Sequence, residues 1–322
     1  MNEPWNLKQK MLEAIKKKGG FVNCHAHFDK AYYINKEGLE KSMLDMEQKW
    51  LMSDDIKKSS TQEQIEKRIR TALDKLVEQG CNLTATFVDA YDAVGHKAID
   101  AANKVKEEYK NKIKLLTITQ PLSGLIDKKA RKLFEEITAK ADIVGGLPSK
   151  DRPNDKENYD LMFSIAKNLN KKIHVHIDQE NNPNEKDTKT LIEYAKKYNY
   201  GDKTVGVHVL SVSAQPKEYR QKIYKDMAEI GMSAVICPSA AIAMRQLDEF
   251  NSPVHNSIAN VPEMLDAGVT VGLGIDNVYD FYQPFVDADM WIEMRMLQEA
   301  CRYYNFDKLV EIATTNGRKI LE

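Results

Sequence analysis

The chain has 322 residues, which is long enough for one large domain or two ordinary ones. Its 47 lysine and arginine residues are balanced by 48 aspartate and glutamate residues, so no net basic field is available to hold a nucleic acid or an anionic membrane surface. No apolar run is long enough for a signal peptide or a membrane span, and the four cysteines show no paired spacing, so we expect a soluble, cytoplasmic protein.

Short runs rich in Val, Ile, Leu and Thr alternate with charged runs of helical periodicity along the chain. About eight such βα units follow one another without a linker, which predicts an α/β protein: a single (β/α)8 TIM barrel over residues 1–322, with 1–19 as an N-terminal helical extension. The predicted strands are 20–25, 82–89, 113–119, 142–147, 172–178, 204–209, 233–237 and 270–276. Three of the predicted outer helices are 62–79, 128–140 and 159–170.

The first predicted strand ends in two histidines, His25 and His27. Residues two apart on an extended segment face the same side, so both imidazoles can reach one ion. Such a pair also occurs incidentally, and it decides little alone. Asp29 and Lys30 follow directly, where they would either steer a substrate or lie in solvent.

Polar residues also end three later strands, and in a parallel barrel such ends carry the functional groups. The fifth strand closes with His176, the sixth with His208 and the eighth with Asp276. Neutral imidazoles and a carboxylate suit a divalent transition metal such as Zn or Fe, with positions left open for water and substrate. For His208, a buried structural histidine remains the alternative.

This order of strand-end residues resembles the amidohydrolase superfamily over nearly the whole chain, and most of all its cytosine deaminase-like branch. Further stretches are similar to that branch, namely Thr117-Ile-Thr-Gln-Pro121, Val144-Gly-Gly-Leu-Pro148 and Gly274-Ile-Asp-Asn-Val278. The resemblance implies a metal-dependent hydrolase. It also implies one metal ion, because the fourth strand offers no lysine of the kind that two-metal branches carbamylate.

The resemblance also implies roles for single residues. The implied metal ligands are His25, His27, His176 and Asp276. Asp276 would also be the first proton acceptor, and His208 would steady the activated water or the developing charge. Gln120 would hydrogen-bond the substrate ring, and the 146–149 loop would line its pocket. The predicted substrate-binding residues are Gln120, Gln179, Pro148 and Ser149.

The chain departs from the branch in three places. Gln179 stands where the deaminases carry a proton-shuttling glutamate, and an amide cannot shuttle a proton. Asn277 stands where a second aspartate is usual. We expect the family's β-sandwich, built from both termini, to be missing here, and therefore a barrel alone, with exposed surface that a homo-oligomer would cover.

These features predict hydrolysis of a C–N bond, by deamination or cyclic amide hydrolysis, in a small N-heterocyclic substrate. Asp276 would act as base, with help from His208 or Glu180. On an extended segment Glu180 would point away from Gln179, so it could help only if the chain bends after Asp178. The first alternative is a non-catalytic, metal-containing paralogue that binds a heterocycle. The second is another hydrolytic substrate, such as a lactone or an N-alkyl group on a ring.

Overall fold

A computed structural model of the protein describes residues 6–44, 46–244, 247 and 258–322, except for the side chains of residues 46 and 47. Residues 1–5 of the predicted N-terminal extension lie outside these ranges. The rest of the extension contains helix α1, Leu7–Lys17, which packs against a helix near the end of the chain.

All eight predicted strands are found in the structure. They are β1 Phe21–Asn23, β2 Cys81–Asp89, β3 Lys114–Gln120, β4 Val144–Gly146, β5 Ile173–Ile177, β6 Thr204–His208, β7 Ser233–Ile236 and β8 Val271–Leu273. The predictions for β1 and β8 extend two to three residues too far at the carboxyl end. These are the ends that carry His25 and Asp276, which leave the strand ladder to reach the candidate site.

Helices connect the strands. In chain order they are α2 Met46–Ser59, α3 Gln62–Glu78, α4 Lys97–Tyr109, α5 Lys128–Lys140, α6 Asp155–Leu169, α7 Asp187–Tyr198, α8 Lys217–Glu229, α9 Pro238–Ala243, α10 Val261–Asp266, α11 Met290–Cys301, α12 Phe306–Ala313 and α13 Thr315–Leu321. The three outer helices predicted from periodicity correspond to α3, α5 and α6. Within the described ranges, no helix has the length and apolar character needed to cross a bilayer.

All strand pairs are parallel, in the orders β1-β2-β3 and β4-β5-β6-β7-β8. Backbone hydrogen bonds also link the two groups: Asp142 N donates to Thr117 O at 3.0 Å, and Cys24 N donates to Leu273 O at 2.8 Å. Because parallel strands all point the same way, their carboxyl ends gather at one edge.

The two faces of the strands pack into two different apolar clusters. Ile173, Val175 and Ile177 of β5 belong to the large core between strands and helices. The alternating residues, including His176, face the other side. There, a smaller cluster contains residues of several strands and is joined by Ile320 and Leu321 of α13. The strands thus bury one face against helices and turn the other towards the candidate site.

Candidate active site

Three strand ends bring the four predicted metal ligands together. Nε2 of His25 and Nε2 of His27 lie 3.3 and 3.1 Å from the same oxygen, Oδ1 of Asp276. The ring of His176 lies 4.9 Å from the ring of His25, measured between centroids. Phe87 of β2 packs against all three imidazoles, at centroid distances of 4.5 to 5.4 Å. Residues from the beginning, middle and end of the chain therefore share one small volume.

The chemical state of these side chains fits a divalent transition metal. Burial lowers the pKa of His27 to about 3 and that of His176 well below its usual value, so both imidazoles are neutral and can donate an electron pair. Both ring nitrogens of His176 are buried without a hydrogen-bond partner among the described residues. For Asp276, burial would raise the pKa, but hydrogen bonds from His25 and His27 outweigh it and keep the group a carboxylate. Three imidazoles and one carboxylate form a common donor set for Zn or Fe.

Two further residues lie close enough to take part. The nitrogens of His25, His176 and His208 all lie within 4.8 Å of one another, as do ligand atoms of His25, Cys237 and Asp276. Nε2 of His208 lies 3.8 Å from Oδ2 of Asp276, the oxygen that does not contact His25 or His27. The sequence analysis missed Cys237, although it ends the seventh predicted strand and so met the criterion that identified the histidines.

Strained backbone accompanies three of these strand ends. Asp178, His208 and Asp276 have φ angles of +49°, +76° and +73°, in the left-handed region that residues with a Cβ atom rarely adopt. Such strain persists where the surrounding structure enforces it, and it is concentrated at functional sites. Here it lets each of the three segments turn sharply away from its strand, at the edge where the histidines meet.

The turn at Asp178 decides where Gln179 and Glu180 lie. The Asp178 carboxylate accepts hydrogen bonds from the backbone N–H groups of Asp187 and Thr188 at the start of α7, which holds the turn in place. Because the chain bends here, Gln179 and Glu180 both line the pocket beside the histidines. The condition that the sequence analysis set for Glu180 is therefore met.

The predicted substrate-binding residues divide between two chambers. Gln120 and Gln179 line the inner pocket together with His27, His176 and Asp276. Its described wall does not include Pro148 or Ser149. Pro148 is buried at the start of a short 3-10 helix, Pro148–Asp151. Ser149 lines an outer chamber, which shares Trp50, Gln179, Glu180 and Met244 with the inner pocket.

Helix α2 covers the inner pocket, and we call it the roof helix. Lys49 and Trp50 of this helix line the pocket, and Nζ of Lys150 lies 3.4 Å from the centroid of the Trp50 ring. The contact joins the roof helix to the loop after β4 by a cation–π interaction. The sequence analysis did not predict this helix, whose placement depends on contacts with distant loops.

A buried ion cluster joins the roof helix to the strand ends. Asp89, at the end of β2 and 1% exposed, lies between Nζ of Lys30 at 3.2 Å and Nζ of Lys57 at 2.8 Å. Burial would raise the pKa of Asp89, but the two lysines outweigh it and hold the pKa far below the usual value. The Asp29 carboxylate accepts the backbone N–H of Asp89 at 2.9 Å. Asp29 is thus a structural residue and Lys30 a pocket residue. The alternative that the two side chains lie in solvent is wrong for both.

Removing Lys57 tests how strongly this cluster anchors the roof helix. We expect Lys57→Met to lower the free energy of unfolding by about 3 kcal/mol, the lower end for breaking a buried pair, because Lys30 still faces Asp89. Lys58→Met, at the exposed neighbouring position, should change it by less than about 0.5 kcal/mol. Urea unfolding monitored by circular dichroism measures both. Equal effects of the two substitutions would show that the cluster does not anchor the helix.

The loop after β8 explains the asparagine at position 277. The side-chain N–H of Asn277 donates to the Asp280 carboxylate, which also accepts the backbone N–H groups of Tyr282 and Gln283. The backbone N–H of Asn277 donates to Oε1 of Gln283 at 2.7 Å. A second aspartate at position 277 would place two buried carboxylates against each other, so the amide suits this loop.

Comparisons with known proteins agree with this geometry. The sequence model of the amidohydrolase family matches residues 19–322. An uncharacterized Haemophilus influenzae protein is 34% identical over 265 residues, which cover 81% of this chain and 95% of that protein. The N-isopropylammelide isopropyl amidohydrolase of Pseudomonas sp. strain ADP is 27% identical over 280 residues, 84% of this chain and 65% of the relative.

Among solved structures, the fold is similar to that of the 5-methylcytosine deaminase of Klebsiella pneumoniae liganded with 5-fluorocytosine. The TM-score is 0.85 at 20% sequence identity, and the match covers 94% of this chain and 74% of the deaminase. At this identity the likeness concerns the fold.

Proposed function

The chain belongs to the amidohydrolase family, a membership that makes it a hydrolase acting on carbon–nitrogen bonds, and on that premise we propose that it cleaves such a bond in a small N-heterocyclic substrate. The observation that carries the proposal is the meeting of three imidazoles and one carboxylate beside a pocket lined by amide side chains. We also propose that the eight strands close into a (β/α)8 barrel, since backbone hydrogen bonds cross both gaps between the two strand groups.

His25, His27, His176 and Asp276 would hold one divalent transition metal, Zn or Fe. When bound, such an ion lowers the pKa of water towards neutrality and so supplies a nucleophile. The proposal is supported by the buried, unpartnered nitrogens of His176 and by the neutral state of His27 and His176.

The two oxygens of Asp276 have different surroundings, which suggests different roles. Oδ1 faces Nε2 of His25 and of His27, whereas Oδ2 faces Nε2 of His208 at 3.8 Å. We assign to Oδ2 the acceptance of the proton that the attacking water loses. His208, nearly buried and neutral, would then stabilise the negative charge that develops on the substrate by donating a hydrogen bond from Nε2.

A leaving amine needs a proton, and Gln179 cannot supply one. Glu180 is a carboxyl group on the same pocket wall, brought there by the turn at Asp178. We therefore assign the donation of this proton to Glu180. Gln179 would instead bind the substrate by hydrogen bonds, as would Gln120.

The Pseudomonas relative supports a ring substrate, because ammelide is a nitrogen heterocycle and its named reaction removes an N-alkyl amine. The outer chamber next to Ser149 gives room for a substituent on such a ring. A cytoplasmic location, a single barrel domain and a homo-oligomer stay predictions.

Metal analysis and turnover test this proposal together. We expect the purified chain to contain about one Zn or Fe per molecule, and to release ammonia or an alkylamine from members of a panel of pyrimidines and triazines. A chelator should abolish turnover, and the added metal should restore it. A protein that takes up no transition metal would refute the proposal. A protein that takes up metal and binds rings but never turns them over would support the binding-paralogue alternative.

A further inference from the structure

Two chambers of very different size meet above the strand ends. The inner pocket, beside His27, His176 and Asp276, has a volume of about 80 Å³, and the outer chamber has about 650 Å³. For comparison, an engineered apolar cavity that binds benzene has about 150 Å³. The inner pocket therefore has room for one ring at most, and a second ring would have to extend into the outer chamber.

Four of the described residues line both chambers and so form their boundary. They are Trp50 of the roof helix, Gln179 and Glu180 after β5, and Met244 after α9. A methionine side chain is flexible and adapts to what lies beside it. Trp50 has the largest side chain of the four, and an indole is rigid because it turns about only two bonds. The indole of Trp50 is therefore the main barrier between the chambers.

The roof helix holds Trp50 on the same face as two of its anchors. Trp50, Ser53 and Lys57 are spaced i, i+3 and i+7, so their side chains lie on one side of the helix. Oγ of Ser53 lies 3.1 Å from the hydroxyl of Tyr33, and Nζ of Lys57 lies 2.8 Å from the Asp89 carboxylate. These contacts fix the helix against the strand ends, and with it the place of Trp50.

A further contact holds the indole ring itself. Nζ of Lys150 lies 3.4 Å from the centroid of the Trp50 ring, within the range of a cation–π interaction. Lys150 lines the outer chamber and does not belong to the described wall of the inner pocket. An indole that swung away from the boundary would lose this contact.

We propose that Trp50, held by Lys150, is the specificity-determining residue that excludes fused bicyclic heterocycles from the inner pocket. The inference rests on the proposed function and narrows its substrate class to single rings. A substituent joined by a single bond can turn past the indole into the outer chamber, whereas a fused ring lies in the plane of the first ring and cannot. Forcing a fused ring into the inner pocket would overpack it.

Binding of two matched rings tests the inference. Hypoxanthine is pyrimidin-4-one with an imidazole fused to one edge, and neither compound carries an exocyclic amino group that could be released. Calorimetry at pH 7, on the full chain as purified, compares the two in their uncharged forms. We expect the wild type to bind pyrimidin-4-one about 10–100-fold more tightly, the range that overpacking a filled site costs. Equal binding, tighter binding of hypoxanthine or binding of neither ring would overturn the inference.

Trp50→Ala makes the sharpest variant. The indole is itself a six-membered ring fused to a five-membered ring, so its removal opens a space of the shape that hypoxanthine needs. The preference for pyrimidin-4-one should disappear or invert, since the larger ring then buries more surface. If Trp50→Ala keeps the wild-type preference, Trp50 is not the barrier. Trp50→Phe leaves a smaller aromatic ring and should give an intermediate preference, and circular dichroism verifies that both variants are folded.

Leu51→Ala is the matched control. Leu51 is the next residue of the roof helix and lines the outer chamber without belonging to the described wall of the inner pocket, so its loss should leave the preference unchanged. If Leu51→Ala loses the preference as fully as Trp50→Ala, a disturbed helix is responsible and the inference fails. Lys150→Met should lower the preference by about two- to fivefold, the worth of an exposed cation–π contact. An unchanged preference would overturn the role of Lys150.

The outcomes separate this inference from the proposed function, because binding needs no turnover. A preference for the single ring without hydrolysis of any heterocycle would overturn only the proposed function. Hydrolysis by a wild type that binds both ring sizes equally would overturn only this inference.

Discussion

Asp276→Asn is expected to reduce kcat/KM by about 10³–10⁴-fold, because an amide cannot accept the proton that the attacking water loses. The substitution keeps the size of the side chain but removes the charge that Nε2 of His25 and of His27 face at 3.3 and 3.1 Å. Steady-state kinetics on the best substrate of the heterocycle panel measures the loss. Metal content should fall as well, since one of the four ligands loses its charge.

The matched control for this experiment lies in the same loop. Asp287 is exposed and eleven residues further along the chain, so Asp287→Asn changes the same net charge without touching the site. It should leave kcat/KM within about twofold of the wild type. If Asp276→Asn kept most of its activity, with normal metal content, then Asp276 would be neither the base nor a required ligand.

The second large effect concerns the leaving-group proton. We expect Glu180→Gln to lower kcat by about 10²–10⁴-fold on substrates that release an amine, since protonation of the leaving nitrogen then has no donor on this wall. The double variant Gln179→Glu, Glu180→Gln restores a carboxyl group to the same wall and should recover part of that loss. Initial rates of amine release measure both.

A substrate with a chloride leaving group provides the control, because chloride departs without a proton. On such a ring, Glu180→Gln should change kcat little, while Asp276→Asn should remain severe. If Glu180→Gln left amine release unchanged, the role of proton donor would be assigned to His208 instead. If the wild type is inert and Gln179→Glu alone creates activity, the chain is a binding protein derived from an enzyme.

Local features of the sequence were enough to predict the strands, three outer helices and the strand-end histidines. The alternation of apolar runs with helical periodicity is a short-range property, so eight strands could be located to within a few residues. His25, His27 and His176 were found because a polar residue that closes an apolar strand is visible in a window of a few residues. The same criterion also applied to Cys237 and Asp89, which were overlooked since no familiar motif contains them.

Contacts between segments that are distant in sequence determined those features of the site that no short stretch of the sequence contains. The turn at Asp178 depends on hydrogen bonds from the start of α7, and Glu180 lines the pocket just after this turn. The roof helix is placed by Lys57, which pairs with a carboxylate from β2. The ring of Trp50 is held by Lys150, one hundred residues later in the chain. Sequence spacing could name the groups that do the chemistry, but hydrogen-bond directions and burial exist only once the chain has folded, and they determine which atoms face a substrate.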